Sequence, residues 1–223
     1  MDATVLSKDD CAYPERLTAC LGQDAPEALR FAGDCSLLAR RTLALFCSVQ
    51  CTGAMIMHTY EFVKRLRMFD LAIISGFHSP MEKECLRSLA GGSAGIVACL
   101  AKALESYTIA GDLEKPFDQG RALVLSPFAP SVRRIEDKTA RYRNLVAAAL
   151  ADEVFVSYAA PGSHTESFCT QILAWEKPVL TLDTPENAGI VGLGAQAVQP
   201  RDIHSLWHEH QPGAMELEAA VDR

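Results

Sequence analysis

The sequence predicts an α/β fold, a doubly wound and mainly parallel sheet with helices on both faces. Three observations carry this. Short, almost wholly apolar runs recur along the chain, as strands buried on both faces require. Amphipathic helical stretches stand between them in regular alternation. The composition supports a sizeable core: of 223 residues, 49% are hydrophobic and 22% charged, which is ordinary for a folded domain.

The elements follow in order. Thr42–Ser48 (TLALFCS) is the first apolar strand. His58–Phe69 then reads as a helix, because Tyr60, Phe62, Val63, Leu66 and Phe69 fall largely on one face. Leu71–Ser75 is a second buried strand, closed by Gly76. Pro80–Ala90 suits a helix with proline in its first turn. Ala94–Leu100 and Ala122–Leu125 are the third and fourth strands. Asp137–Ala151 has helical spacing at Leu145, Val146, Ala149 and Leu150. Glu153–Ser157 is a fifth strand, Ser163–Glu176 a helix, and Pro178–Leu182 a sixth strand. The segment after Gln199 is acidic and contains HSLWHEH, which reads as a peripheral helix or a loose end. The expected organisation is an N-terminal segment 1–40 packed on the core, one domain over 41–200, and an acidic tail over 201–223.

Composition also narrows function. No run of about 18 apolar residues exists, so no membrane span is expected. The N-terminus MDATVLSKDD lacks the basic and apolar regions of a secretory signal, so a cytoplasmic location is expected. The net charge is −7, unfavourable for a strong non-specific nucleic-acid binder. It is unevenly spread. Residues 1–120 hold 12 basic and 15 acidic side chains, residues 121–150 hold 6 and 2, and residues 151–223 hold 3 and 11. The one basic segment contains Arg121, Arg133, Arg134, Lys138, Arg141 and Arg143. It reads either as a solvated helix face or as an anion site.

Eight cysteines are present, none in a CxxC pair, so a zinc site is not indicated. Cys47 and Cys99 lie in apolar runs, where cysteine acts as a small hydrophobe. Cys47 and Cys51 could both face a pocket, but nothing else in the sequence supports a redox role. His204, His208 and His210 have a metal-like spacing in the acidic tail, without a fixed framework around them. Gly192 and Gly194 form a GxG with no clear helix after it, so the dinucleotide fingerprint fails. No metal and no cofactor are expected.

In such folds ligands bind at the carboxyl ends of the strands. That rule selects the loops Ser48–Gly53, Ser75–Pro80, Ser126–Arg134 and Ala159–Thr165, each rich in Ser, Gly, Thr or Pro. Small residues let backbone N–H groups approach a phosphate, and a following helix N-terminus adds its positive end. Pro161-Gly162-Ser163-His164-Thr165-Glu166 is the best example. Ser163 is a good N-cap and Glu166 completes a capping box.

Several of these residues resemble a known family. Tyr13-Pro14-Glu15-Arg16-Leu17, then Asp24-Ala25-Pro26 and Gly33-Asp34, are similar to the start of the DNA-processing protein A (Smf) family. Ile74-Ser75-Gly76 resembles its Val-Ser-Gly turn, and Ser126-Pro127 its Ser-Glu turn. Arg143-Asn144 resembles its Arg-Asn-Arg helix. Gly162-Ser163 with Thr165, and Asn187 with Gly194-Ala195, resemble its closing motifs. The resemblance spans about Tyr13 to Val198. It implies a Rossmann-like core, related to a superfamily that includes nucleotide-sensing domains, lysine-decarboxylase-like proteins and the lonely-guy phosphoribohydrolases that activate cytokinins. It also implies single-stranded DNA binding, a recombinase partner in natural transformation, and a homodimer. The sequence departs from the family at three places. Val49 replaces the first-loop arginine, Pro80-Met81-Glu82 replaces Gly-Ile-Asp, and Leu145 replaces the last arginine of Arg-Asn-Arg. The length leaves no room for the family's appended winged helix, so a bare core domain is expected.

Two functions follow. In the first, Ser48, Thr52, Ser75, Gly76, Arg143, Asn144, Gly162, Ser163 and Thr165 surround a phosphate of single-stranded DNA or of a free nucleotide, without chemistry. Arg143 supplies a fork matched to phosphate oxygens, and Arg133, Arg134 or Arg141 can add positive charge. In the second, the chain acts as a nucleoside-monophosphate phosphoribohydrolase. Glu166 would then stabilise an oxocarbenium-like centre or activate water, with His164 as a candidate base.

Overall fold

A computed structural model describes residues 3–49 and 51–207. The six apolar runs are all strands. They are β3 (Thr42–Phe46), β4 (Ala72–Ser75), β5 (Gly95–Cys99), β6 (Ala122–Ser126), β7 (Glu153–Val156) and β8 (Val179–Leu182). Three more strands join them: β1 (Thr4–Ser7), β2 (Ala28–Gly33) and β9 (Gln196–Val198). Among the described residues they form one sheet in the order β1-β2-β6-β5-β4-β3-β7-β8-β9.

The chain begins its parallel part at the centre and winds outward twice. From β3 it steps through β4 and β5 to β6, each parallel to the last. Helix α5 (Asp137–Leu150) then carries it back, so β7 pairs with the other side of β3, followed by β8 and β9. The direction of winding reverses between β3 and β7, which is where a crevice opens in doubly wound sheets. Beyond β6 the pattern changes: β2 runs antiparallel to β6, and β1 antiparallel to β2.

Alternation along the strands supplies a core on each face. In β3, Leu43 and Leu45 face one layer, and Ala44 and Phe46 the other. The first layer is covered by α2 (Gly53–Leu66), α3 (Pro80–Ala90) and α8 (Ile203–Trp207). Phe62 of α2 stacks on Phe155 of β7 with ring centroids 4.0 Å apart. The second layer is covered by α1 (Glu15–Leu21), α5, α6 (His164–Leu173) and α7 (Ala188–Gly192). The strands are buried on both faces, which explains why they read as unbroken apolar runs rather than alternating ones.

Some boundaries differ from the sequence expectation. Helix α2 starts at Gly53 rather than near His58, because the Thr52 side chain accepts the Met55 N–H and caps it. β3 ends at Phe46, and Cys47-Ser48 already belong to the loop. The N-terminal segment supplies two strands of the sheet as well as α1. Arg16 fixes it in place: Nη1 donates to the Leu150 carbonyl at 2.6 Å and pairs with Asp152 at 3.1 Å. At the other end, Ile203 and Trp207 are buried in the core, and Trp207 Nε1 donates to Glu153 at 2.9 Å. His208 and His210 lie outside the described residues.

Candidate functional site

The carboxyl ends of the parallel strands carry the selected loops, and hydroxyl groups hold these loops in shape. Ser48 is buried just past β3. Its N–H donates to the Tyr158 carbonyl at 3.0 Å and its Oγ accepts from Ala160 N–H at 3.3 Å. Two loops on either side of the winding reversal are thereby tied together. Ser75 Oγ, at the end of β4, accepts from Phe77 N–H at 3.3 Å. Ser126 Oγ, at the end of β6, donates to the Lys102 carbonyl at 2.8 Å. Asn187 Nδ2 donates to the Ser157 and Leu182 carbonyls, joining the ends of β7 and β8.

Two carboxylates do the same work for backbone amides. Glu82 is 7% exposed. Its Oε2 accepts from His78 N–H at 2.9 Å and Ser79 N–H at 3.2 Å, completing a capping box with Ser79 at the start of α3. Glu166 accepts from Gly162 N–H at 2.8 Å, while Ser163 Oγ accepts from Glu166 N–H at 3.2 Å. Ser79 and Glu82 form a full capping box, whereas at α6 Ser163 caps the helix but Glu166 reaches back to Gly162 N–H and not to Ser163 N–H, so the capping box expected there is not formed.

Two cavities open at this edge, and α5 stands between them. The first, about 310 Å³, lies at the winding reversal. Phe46, Cys47, Glu82, Asn144, Thr165 and Phe168 are among its lining residues, with Arg141 and His164 also contributing. Arg141 Nη2 lies 2.8 Å from His164 Nε2; since a guanidinium only donates, the imidazole nitrogen accepts. Burial pushes the Cys47 thiol up to about 12, so it lines the cavity as a neutral group. The second cavity, about 220 Å³, lies beyond the ends of β4 and β5. Gly76, Phe77, Lys102, Tyr107, Ile135 and Arg143 line it, together with leucines and alanines.

The residues selected from sequence therefore divide. Asn144 and Thr165 meet in the first cavity, with Ser48 buried beside Cys47. Gly76 and Arg143 meet in the second. Arg143 is 5% exposed. Its Nη1 donates to the Cys99 carbonyl at 2.9 Å, and its Nε donates to Asn144 Oδ1 at 2.7 Å. Its guanidinium lies against Gly76: a Cβ there would stand 1.5 Å from Nη1, so any side chain at this position must displace the guanidinium. Ser75 is buried under the same turn. Thr52, Gly162 and Ser163 stand at the helix starts rather than in either cavity.

Arg133 and Arg134 are exposed on the loop before α5 and border a separate shallow cleft with Ser131, Glu136 and Thr139. Neither they nor Lys138 nor Arg141 form an ion pair with any described residue. Val49, in place of the family's arginine, is 79% exposed. Sequence reasoning named Glu82 only as a departure from the family's pattern and passed over Lys102 and Tyr107. Only Glu82 had a local signal, three residues after Ser79. Lys102 and Tyr107 lie on a connection without periodicity. No cluster of metal-ligating side chains occurs among the described residues, and no helix there is long and apolar enough to cross a membrane.

The family model of DNA recombination-mediator protein A matches residues 4–209. No curated protein matches the chain. Among solved structures, DNA processing protein A of Streptococcus pneumoniae superposes with a TM-score of 0.75 at 21% identity, over 91% of this chain and 73% of that one. A Helicobacter pylori DNA processing protein A, described by its single-stranded DNA binding mode, gives 0.76 at 17% identity, over 94% of this chain and 97% of that one. A molybdenum cofactor carrier protein of Chlamydomonas reinhardtii gives 0.52 at 12% identity, over 76% of this chain and 98% of that one. At these identities the likeness is one of fold: a Rossmann-like α/β sheet.

Proposed function

This chain belongs to the DNA recombination-mediator protein A family, and from that premise we propose that it binds single-stranded DNA along the carboxyl ends of its parallel strands, without catalysing a reaction on it. The observation that carries this is the row of arginines without acidic partners. Arg133 and Arg134 lie on the loop before α5, bordering the shallow cleft there, and Arg141 lies near the start of α5, in the wall of the cavity at the winding reversal. Cations left free of carboxylates are available to phosphates, and the guanidinium fork suits them. Asn144 and Thr165 add neutral donors in the same cavity.

The state of the carboxylates supports binding over hydrolysis. A phosphoribohydrolase needs a carboxylate free to face the ribose. Glu166 and Glu82 each accept backbone N–H bonds. With Val49 and Leu145 in place of two arginines, and a net charge of −7, the footprint is short. On family grounds the reading extends to a cytoplasmic homodimer with a recombinase as partner.

Fluorescence anisotropy with labelled oligo-dT at low salt tests the proposal. Wild type binds, with affinity falling as salt rises. Each arginine removed by Arg133→Ala, Arg134→Ala or Arg141→Ala reduces the slope of log K against log salt by about 0.7. Absence of binding at low salt overturns the proposal. Release of free base from nucleoside monophosphates, abolished in Glu166→Ala, would replace it with the hydrolase reading.

A further inference from the structure

We propose that the second cavity is a site for a phosphomonoester carried on a nucleoside, either a free nucleotide or the phosphorylated end of a DNA strand. The nucleoside body rests on the single-stranded DNA reading above. The anion site does not; it follows from the buried cation.

Arg143 is 5% exposed, forms no ion pair with any described residue, and shares its cavity wall with no described carboxylate. A buried charge is costly unless it is paired. Of its five N–H donors, one on Nε is taken by Asn144 Oδ1 and one on Nη1 by the Cys99 carbonyl. Nη2 has no hydrogen-bond partner among the described residues, and Arg143 forms part of the cavity wall. The end of the guanidinium thus keeps N–H donors on Nη1 and Nη2 beyond the two already used, and it is held by two hydrogen bonds and by contact with Gly76. Such a fork matches two oxygens of one oxyanion.

The remaining walls specify what carries the oxyanion. Lys102 is a second cation in the lining; its Nζ donates to the Ser106 carbonyl at 2.6 Å and lies 5.9 Å from the Tyr107 ring centre. Two cations and no acidic lining residue match a phosphomonoester, which carries about −1.5 to −2 at pH 7, better than the single charge of an internal phosphodiester. Phe77, Leu86, Leu100, Leu113, Tyr107 and Ile135 supply apolar and aromatic surface on which a base can lie.

The test compares oligo-dT bearing a 5′-phosphate, a 3′-phosphate or only hydroxyl ends, and titrates dTMP by calorimetry, on the whole chain. If strand ends are the ligand, one phosphorylated oligonucleotide binds roughly tenfold more tightly than the hydroxyl form, as one charge-assisted fork supplies. That preference disappears in Lys102→Met and Arg143→Gln. If free nucleotide is the ligand, dTMP binds saturably, the variants abolish its heat, and the oligonucleotides show no end preference. Lys102→Met serves as the decisive variant if Arg143→Gln fails to fold by circular dichroism. No end preference and no dTMP binding, with hydroxyl-ended oligo-dT still bound, overturns the phosphomonoester site and leaves the DNA reading standing. Loss of all oligonucleotide binding with dTMP still bound does the reverse.

Discussion

The two cavities beside α5 are neighbours built on opposite electrostatic plans. At the winding reversal, the polar groups mostly answer one another: Glu82 holds two backbone amides, Arg141 meets His164, and Asn144 receives Arg143 Nε. Past β4 and β5, the walls are mostly apolar, and the buried Arg143 has no counter-charge among the described residues. In the first cavity the exposed Arg141 stands in the wall, against His164. The second holds a buried charge that no described carboxylate pairs with. Adjacent residues of one helix, Arg143 and Asn144, leave it about 100° apart, so each lines one cavity while the Nε–Oδ1 hydrogen bond joins them.

The strongest way to break this division is Gly76→Ala. The added methyl would overlap the Arg143 guanidinium, and over-packing of a buried site costs about 1–3 kcal/mol. Urea unfolding followed by circular dichroism should show a loss at the upper end of that range. A next, smaller effect is expected for Glu82→Ala, which frees two partly buried amides and a cap. Its cost is about 1–2 kcal/mol in the same assay. Glu166→Ala removes a more exposed cap and should cost about 1 kcal/mol. A larger loss at Glu166 than at Glu82 would reverse the ranking of the two loops.

Arg143→Met sharpens the comparison differently. Removing a buried charge without a counter-ion relieves its desolvation while forfeiting two hydrogen bonds. The unfolding free energy should therefore stay within about 1 kcal/mol of wild type. A fall of several kcal/mol would mean that the guanidinium is a structural strut, not a charge awaiting a ligand.

The smallest effect concerns thiols. Burial pushes Cys47, Cys99 and Cys169 from 9.0 up to about 12. A raised folded-state value means their contribution to stability is complete below 9 and declines as pH rises toward 12. Thermal midpoints should be flat with respect to these groups through pH 8 and fall above 9. At pH 8, Cys11 and Cys35, which are exposed, should react with a thiol reagent well before Cys47, Cys85, Cys99 and Cys169. Rapid labelling of Cys47 would show that the first cavity is wetter than its lining implies.

The parallel core was legible because strands buried on both faces must be apolar throughout. β1, β2 and β9 were not, because they lie near the edges of the sheet: β1 has no buried residue, and β2 and β9 bury only two and one, without an apolar run. The site's loops were legible from where the strands end and from their small residues. The partition of those loops into two cavities was not, because Arg143 and Asn144 are one step apart in sequence and face different spaces. The apolar connection that brings Lys102 and Tyr107 to Arg143 has no sequence pattern. Nor does the absence of a carboxylate opposite a buried arginine, which exists only once the chain is folded.

The order of strands also sets a timetable. β3, at the centre, finds one neighbour close by in β4, but its other neighbour pairs Leu43 with Glu153. β2 pairs Arg30 with Ser126. A ribosome therefore releases the N-terminal strands well before their partners exist, leaving apolar edges open through much of synthesis. Contacts so distant along the chain slow folding and prolong exposure to aggregation. The crossing α5 emerges between β6 and β7, so the second cavity's walls are all synthesised by Arg143, whereas the first must wait for α6.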